Sequence, residues 1–228
     1  MKVLVITAQK GGVGKTTHCG HLAVELTLRG KRVVIVDTDP HAGLTEWWDD
    51  RKAEDIQLLN LEFKHLAAGL KRLAAEGVDY VIIDTPGVAS KAVKVLIQYA
   101  DLVIVPTKAS RHDLRGIRKT LELMESEGEP IEKPMIFVLN EVRPRTKLET
   151  QAIMAIGQYG KMAPVVHSLN EFVSSMNDGR ACVETAPKSK AADQTRALAD
   201  YVLKQVGDFP RPQPRKQPRT YVGTEVAE

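Results

Sequence analysis

The chain has 228 residues, of which 43% are apolar and 27% charged, and a formal net charge of +3. That length suits one sizeable α/β domain, and the composition is that of an ordinary soluble globular protein. No run approaches the roughly 18 unbroken apolar residues of a membrane span, so an integral helical membrane protein is excluded. The two cysteines, Cys19 and Cys182, have no CxxC or Cys/His spacing around them and are expected to be buried packing residues.

The opening "MKVLVIT" has an apolar run too short for the core of a signal peptide and reads as a buried strand, Lys2 to Thr7, so a cytoplasmic location is expected. Further short runs rich in Val and Ile predict strands at Arg32 to Val36, Tyr80 to Ile83, Leu102 to Val105 and Met135 to Leu139, with a weaker sixth at Val165 and Val166. Helical periodicity fills the intervals at Thr16 to Arg29, Phe63 to Glu76, Ser90 to Tyr99, Asp113 to Glu127 and Thr146 to Tyr159, then at Glu171 to Met176 and Lys190 to Val206. This alternation predicts a doubly wound α/β fold, a mostly parallel sheet flanked by helices, in a single domain over residues 1–206. Residues 207–228 carry four prolines between Pro210 and Pro218 and little to bury, and are expected to form a flexible Pro/Arg-rich tail.

Ligands of such sheets lie beyond the carboxyl ends of the strands. Here those ends read "TAQKGG", "DTDPH", "DTPG", "PTKAS" and "LNEVR", so the polar chemistry is concentrated where that rule places it. The stretch "GGVGKTT", between the first strand and the first helix, fits a P-loop. Gly11, Gly12 and Gly14 let the backbone wrap closely enough for the N–H groups around Val13 to meet phosphate oxygens, and the helix N-terminus at Thr16 and Thr17 adds a favourable dipole. Lys15 would reach the β- and γ-phosphates, and the Thr16 hydroxyl would ligate Mg²⁺. "YVIIDTPG" supplies the carboxylate for the metal: Asp84 resembles a Walker B aspartate, and Gly87 lets the backbone approach the γ-phosphate. In "VVIVDTDPH", Asp37 and Asp39 stand at spacing two and share an orientation if the strand continues; one of them can orient a water or sit in the metal shell.

These three motifs together resemble the ParA/MinD family of deviant Walker ATPases, whose glycine loop is preceded by an extra lysine, here Lys10. The resemblance implies an ATP-sandwich homodimer in which Lys10 touches the phosphates of the other subunit, as an arginine finger does in trans. It makes Asp39 the residue that positions the hydrolytic water, with Asp37 in support, and gives Asn140 of "FVLNEVRPR" an adenine contact with Arg143 close by. The match is strongest over the first 110 residues and is most like the short ParA-type partition ATPases, which begin at the P-loop strand. His41, where glutamine is usual, Asn170, where arginine is common, and the tail depart from that pattern. The implied partners are ATP, Mg²⁺, nucleoid DNA bound without sequence preference, and a ParB-type centromere-binding adaptor.

Membrane-binding relatives end in an amphipathic helix, which "PRPQPRKQPRTYVGTEVAE" lacks, and an iron-protein relative needs cysteines that this chain does not place near the switch strands. Two basic patches suit DNA: Lys188, Lys190, Arg196 and Lys204 toward the end of the chain, and Arg111, Arg115 and Arg118 at helical spacing. Either is equally readable as a solvated face. A same-family ATPase that positions a protein cargo, and a metabolic P-loop ligase, stand as alternatives.

Overall fold

The computed structural model describes residues 1–59, 65–88, 90–125 and 130–208, apart from the side chain of Arg111. In chain order the elements are β1 (Lys2–Ile6), α1 (Lys15–Leu28), β2 (Val33–Asp37), α2 (Gly43–Asp50), β3 (Gln57–Leu58), α3 (Leu66–Ala75), β4 (Tyr80–Asp84), α4 (Lys91–Gln98), β5 (Leu102–Thr107), α5 (Arg111–Glu125), β6 (Met135–Val142), α6 (Lys147–Gly157), β7 (Lys161–Met162), β8 (Val166–His167), α7 (Asn170–Met176), α8 (Cys182–Thr185) and α9 (Lys190–Gln205). The strands run in the order β3-β2-β4-β1-β5-β6-β7, every pair parallel, with β8 on β6. The doubly wound sheet expected from the Val/Ile runs is therefore present.

Alternation along each strand divides the core in two, because successive side chains leave opposite faces of the pleat. Leu4 and Ile6 of β1 join Cys19, Leu22 and Leu26 of α1 and Leu198 and Val202 of α9, whereas Val3 and Val5 join Leu70, Leu96, Ile117 and Ile156 of α3 to α6. Both faces of β1 are thus covered, which is why it reads as an unbroken apolar run. Among the described residues four helices start on a side-chain cap: Ser90, Ser110, Thr146 and Ser189 accept the backbone N–H groups of Val93, Asp113, Glu149 and Ala192 at 3.1–3.2 Å.

Several elements are shorter or additional. The helix expected from Phe63 starts at Leu66, and residues 60–64 lie outside the described ones. α2, β3, β7 and α8 were not expected: β3, β7 and α8 span only two to four residues, and α2 follows Ala42, which offers no side-chain cap to signal a helix start. The weak sixth strand lies one residue further on, at Val166–His167. The tail expected from residue 207 lies outside the described residues from 209 on, but its first part is pinned, because Asp208 accepts from Lys31 Nζ and Tyr80 Oη at 2.6 Å each.

Candidate nucleotide site

β1 ends at Ile6, and the chain turns through the glycine loop into α1. Gly12 and Gly14 take positive φ, 71° and 98°, a region costly to a residue with a Cβ. Helix α1 begins at Lys15 with no side chain capping it, so the N–H groups of its first turn are free for an anionic ligand. Lys15 is itself buried. The loop and residues Lys15 to Thr17 wall a cleft of about 620 Å³, faced by Asp39, Pro40 and His41 and closed by Pro86, Gly87, Val88 and Glu141. Gly87 lies hard against the loop: a Cβ there would stand 3.0 Å from the Gly11 nitrogen and 3.2 Å from the Lys10 carbonyl carbon. Val13 does not line the cleft; it is buried, and its carbonyl accepts a 2.8 Å hydrogen bond from Asn140 Nδ2.

At the end of β4, Asp84 is completely buried and accepts a 2.5 Å hydrogen bond from the Thr16 hydroxyl through Oδ2. Its Oδ1 is one of two buried side-chain polar atoms among the described residues without a partner, the other being His18 Nε2. Burial pushes the Asp84 carboxyl up to about 7, against the pull of the Thr16 hydroxyl and the Lys15 ammonium, with Asp37 and Asp39 adding repulsion. A buried carboxylate with an unused oxygen and a hydroxyl beside the glycine-loop cleft together fit a divalent cation. Mg²⁺ commonly takes only one or two protein ligands beside phosphates and water, so one carboxylate and one hydroxyl suffice for such a site. Asp84 does not cap the next helix; Ser90 does.

Asp37 and Asp39 do not share a role. Asp37 Oδ2 accepts from the Leu44 and Thr45 backbone N–H groups at 3.0 and 2.9 Å and from the Thr45 hydroxyl at 3.1 Å, and Oδ1 accepts from Asp39 N at 3.0 Å. It is the anchor of α2, so its expected support of the water is corrected to a structural one: its oxygens are taken up by backbone N–H groups and the Thr45 hydroxyl. Asp39 keeps one carboxylate oxygen for the cleft, the other accepting from His41 N at 3.1 Å.

Lys10 has a partner within the chain. Its ammonium lies 2.5 Å from Asp113 Oδ1 on α5, with side-chain exposures of 43% for the lysine and 2% for the aspartate. The Ser110 hydroxyl donates to the other oxygen, Oδ2. Burial raises the Asp113 carboxyl, but hydrogen bonds from Lys10 and Ser110 and the lysine charge outweigh it and hold the group below its usual range. Asp113 lies 103 residues from Lys10 and carries no motif, so sequence reasoning missed it. Asn140 braces the P-loop from beneath, its Nδ2 standing 2.3 Å from where a Gly14 Cβ would be. Arg143 is exposed in the turn after β6.

The two basic patches lie on opposite faces of the sheet, α5 packing in one core and α9 in the other. Arg115 and Arg118 are exposed; the side chain of Arg111 lies outside the described residues. Lys188, Lys190 and Lys204 are exposed too, whereas Arg196 is engaged by Asp193 at 3.2 Å and the Pro187 carbonyl at 2.9 Å, which weakens its expected part in DNA contact. No helix among the described residues is long and apolar enough to cross a membrane.

The chain matches the CobQ/CobB/MinD/ParA nucleotide binding domain over residues 4–180. It is 33% identical over 135 residues to Protein ParA of Rhizobium radiobacter, covering 58% of this chain and 60% of that protein. With Maintenance of carboxysome distribution protein A of Halothiobacillus neapolitanus it shares 32% identity over 150 residues, 64% of this chain and 68% of the other. The aligned part is thus about three fifths of the length of the ParA relative. The solved ATP complex of a McdA variant from Cyanothece has the same fold, with a TM-score of 0.72 at 19% identity over 93% of this chain and 99% of that one.

Proposed function

Because the chain belongs to the CobQ/CobB/MinD/ParA family of nucleotide-binding proteins, we propose that it is a Mg²⁺-dependent ATPase that forms a homodimer on ATP and binds DNA without sequence preference. Hydrolysis, slow until a ParB-type adaptor stimulates it, releases the dimer and drives partition of a plasmid or chromosome, which places the protein on the nucleoid. The observation that supports ATP chemistry best is the buried Asp84, joined to Thr16 and with one oxygen unused beside the P-loop.

In this reading the N–H groups of Gly11 to Thr17 hold the β- and γ-phosphates and Lys15 neutralises them. Thr16 and Asp84 would hold Mg²⁺, which when bound supplies charge neutralisation for the departing phosphoryl group. Asp39, across the cleft, accepts a hydrogen bond from the attacking water and aims it at the γ-phosphate. Lys10 leaves Asp113 and reaches the phosphates held by the other subunit. Lys188, Lys190 and Lys204 on one face, or Arg115 and Arg118 on the other, meet DNA phosphates.

The test is ATP turnover with and without Mg²⁺, together with duplex affinity in a non-hydrolysable analogue at low and raised salt. Metal-dependent turnover, lost in Lys15→Ala, and analogue-dependent binding that weakens steeply with salt are expected. An affinity indifferent to the analogue would sink the DNA arm. Charge reversal at Lys188 and Lys190, set against reversal at Arg115 and Arg118, identifies the face. A protein compartment as cargo is the second reading, favoured by the likeness to the carboxysome distribution protein; turnover stimulated by a cargo-linked protein without a DNA-binding adaptor would select it.

A further inference from the structure

A second group of polar side chains gathers at the end of β6, outside the phosphate cleft. β8 joins β6 through Asn140 opposite Val166 and Val142 opposite His167, and the extra residue between them, Glu141 at φ 53°, makes a bulge. His167 thereby stands beside the turn 143–146 that leads into α6. Its Nε2 is 2.8 Å from Glu149 Oε1 on α6, and its Nδ1 is 2.6 Å from Gln194 Nε2 on α9. The orientation of Gln194 is set by its Oε1, which accepts the His167 backbone N–H at 2.9 Å. Its amide N–H therefore points at Nδ1, which must be the bare acceptor, and the ring carries its proton on Nε2 and donates it to Glu149. The other Glu149 oxygen accepts the backbone N–H of Arg145 at 2.6 Å, a residue held at φ 61°. Thr146 closes the turn by donating to the Arg143 carbonyl at 3.0 Å.

The position of this turn gives the relay a purpose. Asp84 on β4 and Asp39 after β2 lie to one side of β1, and β5 and β6 to the other. The cleft reaches from Asp39 on the first side to Glu141 at the end of β6, so in the ATP-binding reading a nucleotide whose γ-phosphate faces the aspartates extends its nucleoside toward β6, where Asn140 supports the P-loop. We propose that His167 is a positioning residue for the nucleoside: through Glu149 it holds the 143–146 turn in the shape that receives the base, with its tautomer fixed by Gln194. This rests on the ATP-binding reading and adds the means by which the base is held separately from the phosphates. The same hydrogen bonds tie the turn to α9, so base contact and the position of that helix are mechanically linked.

Calorimetric titration with Mg·ATP and with inorganic tripolyphosphate, on the wild type, His167→Phe and His167→Gln, tests the relay. His167→Phe is expected to weaken ATP about tenfold, the worth of one lost charge-assisted hydrogen bond, while tripolyphosphate binds as before. KM for ATP rises and kcat stays within about twofold. His167→Gln, whose amide N–H can still reach Glu149, recovers most of the affinity. Nitrogen NMR of the wild-type imidazole is expected to find Nδ1 bare and Nε2 protonated. Equal losses for ATP and tripolyphosphate, no loss for either, or the opposite tautomer would overturn the relay. A wild type that binds tripolyphosphate and not ATP would instead refute the ATP-binding reading, and the relay with it.

Discussion

Asp113→Asn isolates the part of the site that one chain uses to hold Lys10. The substitution keeps shape and the Ser110 contact and removes the charge that faces the lysine. A hydrogen bond between two charged groups contributes roughly 1.5–3 kcal/mol, and the 43% exposure of the lysine argues for the lower end, about 1.5 kcal/mol. If Lys10 must leave Asp113 to meet the other subunit's phosphates, a dimer breaks two such contacts, about 3 kcal/mol, which corresponds to roughly a hundredfold in the dimer constant. Sedimentation equilibrium in a non-hydrolysable ATP analogue is therefore expected to find D113N dimerising about a hundredfold more tightly than the wild type. In a Lys10→Ala background the same substitution should change little. A D113N protein that folds normally and dimerises no better, or worse, would refute the release of Lys10 and leave the ion pair as a structural tie.

Three further outcomes follow from named contacts. In protein stripped of nucleotide and metal, Asp84 binds a proton up to about pH 7 that the unfolded chain releases near 3.8, so stability is expected to fall as pH rises between those values, by up to about 4 kcal/mol, and to level off above. Denaturant titrations across that window should lose this slope in Asp84→Asn, which also loses Mg²⁺-dependent turnover; an unchanged slope would contradict the burial account. Arg51, whose side chain is 1% exposed, is shared by Asp55 and Glu184 at 2.9 Å and the Gly179 carbonyl at 3.0 Å, so Arg51→Ala should cost about 2–4 kcal/mol in urea, and a loss below about 1 kcal/mol would show the network to be dispensable. Gly179, at φ 64°, would place a Cβ 2.3 Å from the Arg51 nitrogen; Gly179→Ala is expected to lower stability by about 2–4 kcal/mol, and an unaltered melting temperature would mean that this backbone contact yields freely.

Much of the candidate phosphate site was legible because its parts are contiguous. Gly11 to Thr17 form one local turn, and Asp84 stands at the end of an apolar strand, so neither needed knowledge of the rest of the molecule to be singled out. Asp37 and Asp39 show where that reading stops. Spacing alone made them equivalent, but α2 folds back onto Asp37 and consumes its oxygens, leaving Asp39 for the cleft. α2 follows Ala42, which offers no side-chain cap to mark a helix start, so the helix that sets the two aspartates apart was itself unseen.

Local order, therefore, is what this sequence determines by itself: which runs are strands, where the backbone must accept positive φ, and which end of the sheet holds the polar chemistry. Its causes act over a few residues, through steric limits on φ and ψ and the period of apolar side chains. Partnership was left to the tertiary structure. Lys10 meets Asp113 over a separation of 103 residues, Arg51 meets Glu184 over 133, and His167 meets Gln194 over 27. Such pairs carry no sequence signal of their own, because a charge or an imidazole is fit for many neighbours. The packing of helices against a parallel sheet, settled by apolar burial spread over the whole chain, decides which one it gets.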